Sequence, residues 1–263
     1  MTVRVGVFGA GGRMGSTVCR AVAADPELEL VGAIDPHHSG LDLRHVTGVD
    51  VPDLHIDPDA SALEGGGVDV VVDFTIVDAS RGNLAWAARH GVHAVVGTTG
   101  FTEDDHVRLR GQFTRSNCLI APNFSIGAVL MMRFAELAAP WFETAEVIEL
   151  HHDQKVDAPS GTAMLTVERM ARASGDWAAD PTEREVLPGA RGARGPAGIP
   201  VHSVRLRGLV AHQEVLLGTT GQSLTIRHDS YDRASFMPGV VLAVKQVAER
   251  PGLTIGLDTL LGL

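Results

Sequence analysis

The feature that most restricts this chain is a turn that leaves no room for side chains. Gly9-Ala10-Gly11-Gly12-Arg13-Met14-Gly15 follows a β-branched run begun by Val3, Val5 and Val7, and it opens a helical stretch from about Arg13 to Ala24. Glycines in a G-x-x-G-x-x-G spacing let the backbone approach a pyrophosphate. The helix start then supplies N–H donors and the positive end of a dipole. Asp35 stands twenty residues beyond Gly15, at the end of a second strand-like run from Leu28. A carboxylate there accepts hydrogen bonds from both ribose hydroxyls of NAD and opposes the 2′-phosphate of NADP. An ordinary glycine turn is the competing reading. The strand before it, the helix after it and Asp35 favour a nucleotide.

The first half continues the alternation. Val68 to Thr75 is apolar and β-branched like a strand buried on both faces, Asp78 to His90 is helical, and Val92 to Val96 and Leu119 to Asn123 read as further strands. Strands alternating with helices predict a Rossmann-like, doubly wound parallel sheet. Gly97, Thr98 and Thr99 close one strand, and Ala121, Pro122, Asn123 and Phe124 close the next. Strand ends on that side of an open sheet line the ligand crevice, although loop punctuation alone would explain these residues.

The second half reads differently. Val147 to His151, Val201 to Arg207, Glu214 to Leu217 and Leu224 to His228 are strand candidates in closer succession, with Gly218-Thr219-Thr220-Gly221 able to turn a hairpin. A smaller α+β domain with a mixed or antiparallel sheet is expected there. Pro188 to Pro200, rich in Gly, Pro, Ala and Arg, predicts a mobile loop. A last helix from about Arg233 to Glu249 is expected to return to the first domain. The expected boundaries are 1–122 with 232–263 for the nucleotide domain, and 123–231 for the second.

Composition narrows the partners. With 22 basic against 32 acidic residues, a net charge of −10, the chain repels nucleic acid and anionic membrane unless a local basic patch intervenes. No apolar run reaches the ~20 residues of a membrane span. The N-terminus lacks the pattern of a signal peptide. Two cysteines, Cys19 and Cys118, without paired spacing fit a reducing compartment, so a cytoplasmic protein is expected.

The concentrated positive site lies in His151-His152-Asp153-Gln154-Lys155, followed by Asp157-Ala158-Pro159-Ser160-Gly161-Thr162. Ser160 and Thr162 precede a helical Ala/Met/Leu run. The N–H groups of that helix start, with the hydroxyls, suit a carboxylate. Lys155 can neutralise an anion or donate a proton, and a histidine carries protons near neutral pH. Alternatively, His151 is a strand residue turned into the core and Ser160 only a helix cap. A metal site on His151, His152 and Asp153 is disfavoured, because adjacent strand residues point to opposite faces. A short-chain dehydrogenase is also disfavoured: it needs Tyr-x-x-x-Lys, and Tyr231 has Ser235 four residues on. A two-domain amino-acid or sugar dehydrogenase remains an alternative, as does a nucleotide sensor, although a sensor would not need His151 and Lys155.

VGVFGAGGRMG, VVGTTGF, APNFSIG and HHDQKVDAPSGTA occur in this order, followed by GIPVHSVRLRGLVAHQEV and TIRHDSYDRASF. Together they resemble the bacterial 4-hydroxy-tetrahydrodipicolinate reductase family from end to end. The resemblance implies a homotetramer with hinged nucleotide and substrate domains, a small dicarboxylate substrate, NADH or NADPH as cofactor, and no metal. It implies His151 as proton donor and Lys155 as second acid or carboxylate anchor. His152, Gly161 and Thr162 match the family's substrate contacts. Gly9, Ala10, Gly11, Gly12, Arg13, Met14, Asp35, Gly97 to Thr99 and Ala121 to Phe124 match its nucleotide contacts. Two positions depart: Gln154 stands where many members have a third histidine, and Pro36 follows the ribose acid where members that use NADPH well often carry arginine.

Overall fold

The computed structural model describes residues 2–263, which divide into two compact units, 2–125 with 236–263, and 126–235. The first unit begins with β1 (Val3–Phe8), α1 (Arg13–Ala24), β2 (Leu28–Ile34), α2 (Leu43–Thr47), β3 (Ile56–Asp57), β4 (Val70–Asp73), α3 (Val77–His90), β5 (His93–Val96), α4 (Glu103–Gln112) and β6 (Cys118–Ile120). The second holds α5 (Ile126–Ala138), β7 (Thr144–His151), α6 (Gly161–Ala173), β8 (Ala193–Arg194), β9 (Pro200–Arg205), β10 (Ala211–Thr219) and β11 (Gln222–Ser230). The chain then returns to the first unit with α7 (Met237–Gln246), flanked by 3₁₀ turns at Arg233–Phe236 and Val247–Glu249, and β12 (Leu253–Ile255).

The first sheet runs β12-β6-β5-β4-β1-β2-β3, with every pair parallel. All four residues of β4 are buried, as a strand covered on both faces requires. Helix α1 buries Gly15, Val18, Cys19 and Val22, an i, i+3, i+4, i+7 stripe that holds it to the sheet. Chain order reverses direction at β1, whose neighbours are β2 and β4. The crevice of such a sheet opens at that switch point, outside the carboxyl ends of the strands.

The second sheet runs β11-β10-β7-β9-β8 and is mixed: β7 pairs β9 in parallel, and the other pairs are antiparallel. One face is covered. Ala145, Val147, Val201, Val215 and Leu217 pack with Ala163, Val167 and Met170 of α6 and Ala135 of α5. The opposite face leaves Ile148, Leu150, Val204 and Leu216 only half-buried. The β10–β11 hairpin closes at the Thr219–Gln222 pair, with Gly221 in the left-handed region (φ 81°).

The Pro188–Pro200 segment departs from a plain loop. Ala193 and Arg194 pair with β9, Pro196–Gly198 forms a 3₁₀ turn, and Arg191 is tied to Glu146 of β7. Local composition signalled the turns but not the partners, which lie elsewhere in the chain. Strands β3, β8 and β12 span only two or three residues each, too short to show any alternation in sequence.

Candidate active site

In the first unit, the parallel register aligns Phe8 with Ile34 and Asp73, Asp73 with Val96, and Val96 with Ile120. The segments that follow these residues therefore emerge along one edge. This brings Gly9 to Met14, Asp35, Gly97 to Thr99 and Ala121 to Phe124 to the carboxyl side of the sheet. Gly9 is left-handed (φ 74°), and its carbonyl accepts the Gly12 N–H at 2.9 Å. A Cβ on Gly15 would stand 1.9 Å from that same carbonyl oxygen, so no other residue fits there without moving backbone. Arg13 is exposed at the first turn of α1, and Met14 is half-buried.

Asp35 is buried, and its carboxylate accepts hydrogen bonds from the N–H groups of Gly11 and His37, each at 3.0 Å. The glycine loop is thus tied to Asp35 by its own backbone. His38, absent from the sequence-level expectations, places Nδ1 3.2 Å from Asp35. A Cβ on Gly11 would come within 2.2 Å of that nitrogen. The expected residues at the other strand ends differ in character. Thr98 is buried, and its hydroxyl donates to the carboxylate of Asp73, which also accepts from Thr75 and Asn83. Phe124 is buried against Phe74 (ring centroids 5.8 Å apart), and Ala121 is buried too. Thr99 and Pro122 are exposed, whereas Gly97 and Asn123 are half-buried.

In the second unit, Glu149 and His151 lie two residues apart on β7 and so share a face. Parallel pairing sets Arg205 of β9 opposite His151. Glu149 is fully buried. Its Oε2 accepts from His151 Nδ1 and from Arg205 Nη1 (2.9 Å), and its Oε1 accepts from Arg205 Nη2 (2.8 Å) and from the Ser160 N–H (3.2 Å). Burial pushes the Glu149 carboxyl up, but the hydrogen bonds from His151, Arg205 and Ser203 outweigh it and hold it down at about 2. Arg205 also donates to the carbonyls of Lys155 (3.3 Å) and Asp157 (2.6 Å). His151 is neither a buried core residue nor a free surface one: its side chain is 15% exposed.

Lys155 Nζ donates to both oxygens of Asp157 at 2.8 Å, which lowers the Asp157 carboxyl. Ser160 caps α6, accepting the Ala163 N–H at 3.1 Å. Gly161 and Thr162 form the first turn, where helix N–H groups have no acceptor within the helix. A Cβ on Gly161 would meet nothing within 4 Å, so the helix start is open there. His152 is half-buried at the end of β7, while Gln154 is exposed. Among the described residues, no group of three or more His, Cys, Asp or Glu is arranged to hold a metal ion.

Glu149, Arg205 and Asp157 are the functional candidates that sequence reasoning missed. The Glu-x-His spacing was a usable signal for Glu149, because alternation on a strand puts both residues on one face. No local signal could pick Arg205 among the basic residues.

An open parallel sheet with a glycine turn at its switch point, joined to a mixed-sheet unit carrying a histidine–lysine cluster, defines a nicotinamide-dependent oxidoreductase of two units. The sequence profile described as dihydrodipicolinate reductase, N-terminus, matches residues 3–124, and that described as dihydrodipicolinate reductase, C-terminus, matches residues 127–261. The 4-hydroxy-tetrahydrodipicolinate reductase of Cutibacterium acnes is 52% identical, with 99% of both chains covered. That of Nocardia farcinica is also 52% identical, over 100% of both. A solved structure of dipicolinate-bound dihydrodipicolinate reductase from Paenisporosarcina sp. TG-14 is 40% identical, covers 98% of this chain and 99% of its own, and superposes with a TM-score of 0.87. An amine dehydrogenase from Mycobacterium smegmatis shares the fold at 14% identity and a TM-score of 0.62. The chain belongs to the dihydrodipicolinate reductase family.

Proposed function

We propose that the protein reduces 4-hydroxy-tetrahydrodipicolinate to tetrahydrodipicolinate with NADH or NADPH, in the diaminopimelate and lysine biosynthetic pathway. The observation that carries this reading is the clustering of His151, Lys155 and the open start of α6 in one segment, in a chain that also carries the glycine turn and Asp35. Loss of the substrate hydroxyl as water leaves a conjugated imine. Hydride from the nicotinamide C4 forms a C–H bond at ring carbon C4, the electron pair moves to the ring nitrogen, and the resulting enamine takes a proton at C3. His151 supplies that proton. Lys155 and the N–H groups and hydroxyls around Ser160, Gly161 and Thr162, with His152 beside them, hold the substrate's carboxylates. The dipicolinate bound by the relative from Paenisporosarcina is a ring dicarboxylate of the kind this cluster suits.

The nucleotide is held by Gly9 to Met14, Asp35, Gly97 to Thr99 and Ala121 to Phe124. NADH is used at least as well as NADPH, because Asp35 faces the ribose and is followed by Pro36 rather than a cation. Arg13 partly compensates, so both are used. The half-buried apolar face of the second sheet supports a homotetramer built through that unit, since an uncovered sheet face and edges invite association. The buried free thiols of Cys19 and Cys118 suit the reducing cytoplasm. The deciding assay is consumption of NADH and NADPH with freshly generated 4-hydroxy-tetrahydrodipicolinate. No turnover with either nucleotide would overturn the activity. A specificity constant for NADPH tenfold above that for NADH, ~1.4 kcal/mol, would overturn the nucleotide assignment alone.

A further inference from the structure

The Glu149 carboxylate stays ionised at neutral pH, and an ionised carboxylate can only accept hydrogen bonds. The hydrogen in the His151–Glu149 contact therefore sits on Nδ1 of the ring. The other nitrogen, Nε2, is left as the atom that gains and loses a proton. Arg205 meets the same carboxylate with both guanidinium nitrogens in a bidentate fork, and its remaining donors reach the carbonyls of Lys155 and Asp157.

We infer that Glu149 and Arg205 are positioning residues for the proton transfer: Glu149 fixes the tautomer and ring orientation of His151 so that the proton leaves from Nε2, and Arg205 balances the Glu149 charge while fixing the segment that carries Lys155. This rests on the reading of His151 as proton donor. One ion pair then orients both halves of the cluster, the proton donor through its carboxylate and the carboxylate anchor through its backbone. After transfer, His151 is neutral with Nδ1–H still held by Glu149, and Nε2 takes a proton back from water. In a serine–histidine–aspartate triad, loss of the tautomer-fixing carboxylate lowers turnover by about 10⁴-fold with geometry otherwise kept, which sets the upper end of what such a residue can do.

Glu149→Gln should lower kcat at least about tenfold while leaving KM for the dicarboxylate within about threefold, because the group lost orients the acid rather than the substrate. That single change leaves the half-buried Arg205 charge unbalanced, so it can also impair folding. Glu149→Gln with Arg205→Met removes both charges. Glu149→Asp keeps the charge balance but withdraws the carboxylate from Nδ1. Both should fold and stay slow. Nitrogen-15 NMR of histidine-labelled protein reads the tautomer directly: neutral His151 should carry its hydrogen on Nδ1 in the wild type and shift toward Nε2–H in the Glu149 variants. Wild-type His151 protonated at Nε2 when neutral, or a double variant with normal turnover, would overturn the proposal and leave Glu149–Arg205 a structural pair. A slow His151→Ala beside a normal Glu149→Gln overturns it alone. Normal turnover in His151→Ala overturns the proton-donor reading and this inference with it.

Discussion

The glycine edge of the first unit and the His151–Lys155 cluster of the second are built from opposite materials. The first is made of backbone: Gly9, Gly12 and Gly15 matter because nothing projects from them, and Asp35 is tied to the loop through the main-chain N–H of Gly11. The second is made of side chains whose charges cancel in pairs, Glu149 with Arg205 and Asp157 with Lys155. A backbone site is broken by adding an atom. A side-chain network is broken by removing one, and the damage then spreads to the partner left behind.

The largest effect should come from the side-chain site. His151→Ala is expected to lower kcat by ~10²–10⁴-fold, the span of a positioned acid, with NADH affinity little changed. Lys155→Ala removes a charge-assisted hydrogen bond of roughly 1.5–3 kcal/mol, seen in KM if it acts on bound substrate and in kcat if it strengthens in the transition state. Steady-state kinetics with NADH titration by fluorescence quenching separate these. A large loss of NADH binding in both variants would erase the contrast between the two regions.

The backbone site should fail in the opposite way. A Cβ at position 15 would lie 1.9 Å from the Gly9 carbonyl oxygen, and the neighbour is backbone that cannot swing aside. Gly15→Ala should cost roughly 1–3 kcal/mol, the range for overpacking, and weaken NADH binding about tenfold or more. Unchanged NADH affinity by titration would show that the loop adjusts and that its glycine spacing is not what admits the nucleotide.

The same contrast explains what the sequence disclosed. The glycine turn was legible because its whole logic fits within seven residues, and Asp35 because a strand of known length separates it from the helix. The alternation of strands and helices carried the first sheet's parallel order as well. The cluster in the second unit was legible only in part. His151, Lys155 and Ser160 announce themselves as neighbours in the chain, but Arg205 reaches Glu149 across a pairing of β7 with β9 that no local pattern encodes. His38 was missed for a related reason, since only the folded turn after Asp35 lays its ring beside Gly11.

Glu149, held by His151 and Arg205, also sets a pH dependence of stability. The Glu149 carboxyl is held at about 2 in the folded chain against an ordinary 4.5, so it binds fewer protons folded than unfolded. Its contribution, about 3 kcal/mol, is fully present above pH 4.5 and is lost as the pH falls toward 2. Urea midpoints measured across that window should therefore fall more steeply in the wild type than in the Glu149→Gln/Arg205→Met variant. Equal slopes would assign the acid sensitivity to other paired carboxylates, such as Asp105 with Arg81.

The smallest effect concerns how Lys155 waits for its ligand. Its ammonium is held by both oxygens of Asp157, whose side chain is 62% exposed. A pair this open to water is worth only about 0.2–1 kcal/mol. A dicarboxylate that takes Lys155 must compete with that pairing and with the negative charge beside it. Asp157→Asn removes the charge and keeps the backbone carbonyl that Arg205 grips. If Asp157 competes with substrate, KM should fall by up to about fivefold, the factor that 1 kcal/mol allows, with kcat unchanged. If Asp157 instead aims Lys155 at the substrate, KM should rise, and adding salt should not reproduce the effect, because screening weakens an exposed competing charge but does not restore lost aim. A KM that rises in the variant at low salt and stays high at 0.5 M salt would make Asp157 part of the binding machinery, and would extend the side-chain network from a pair of residues around His151 to the whole segment from Glu149 to Ser160.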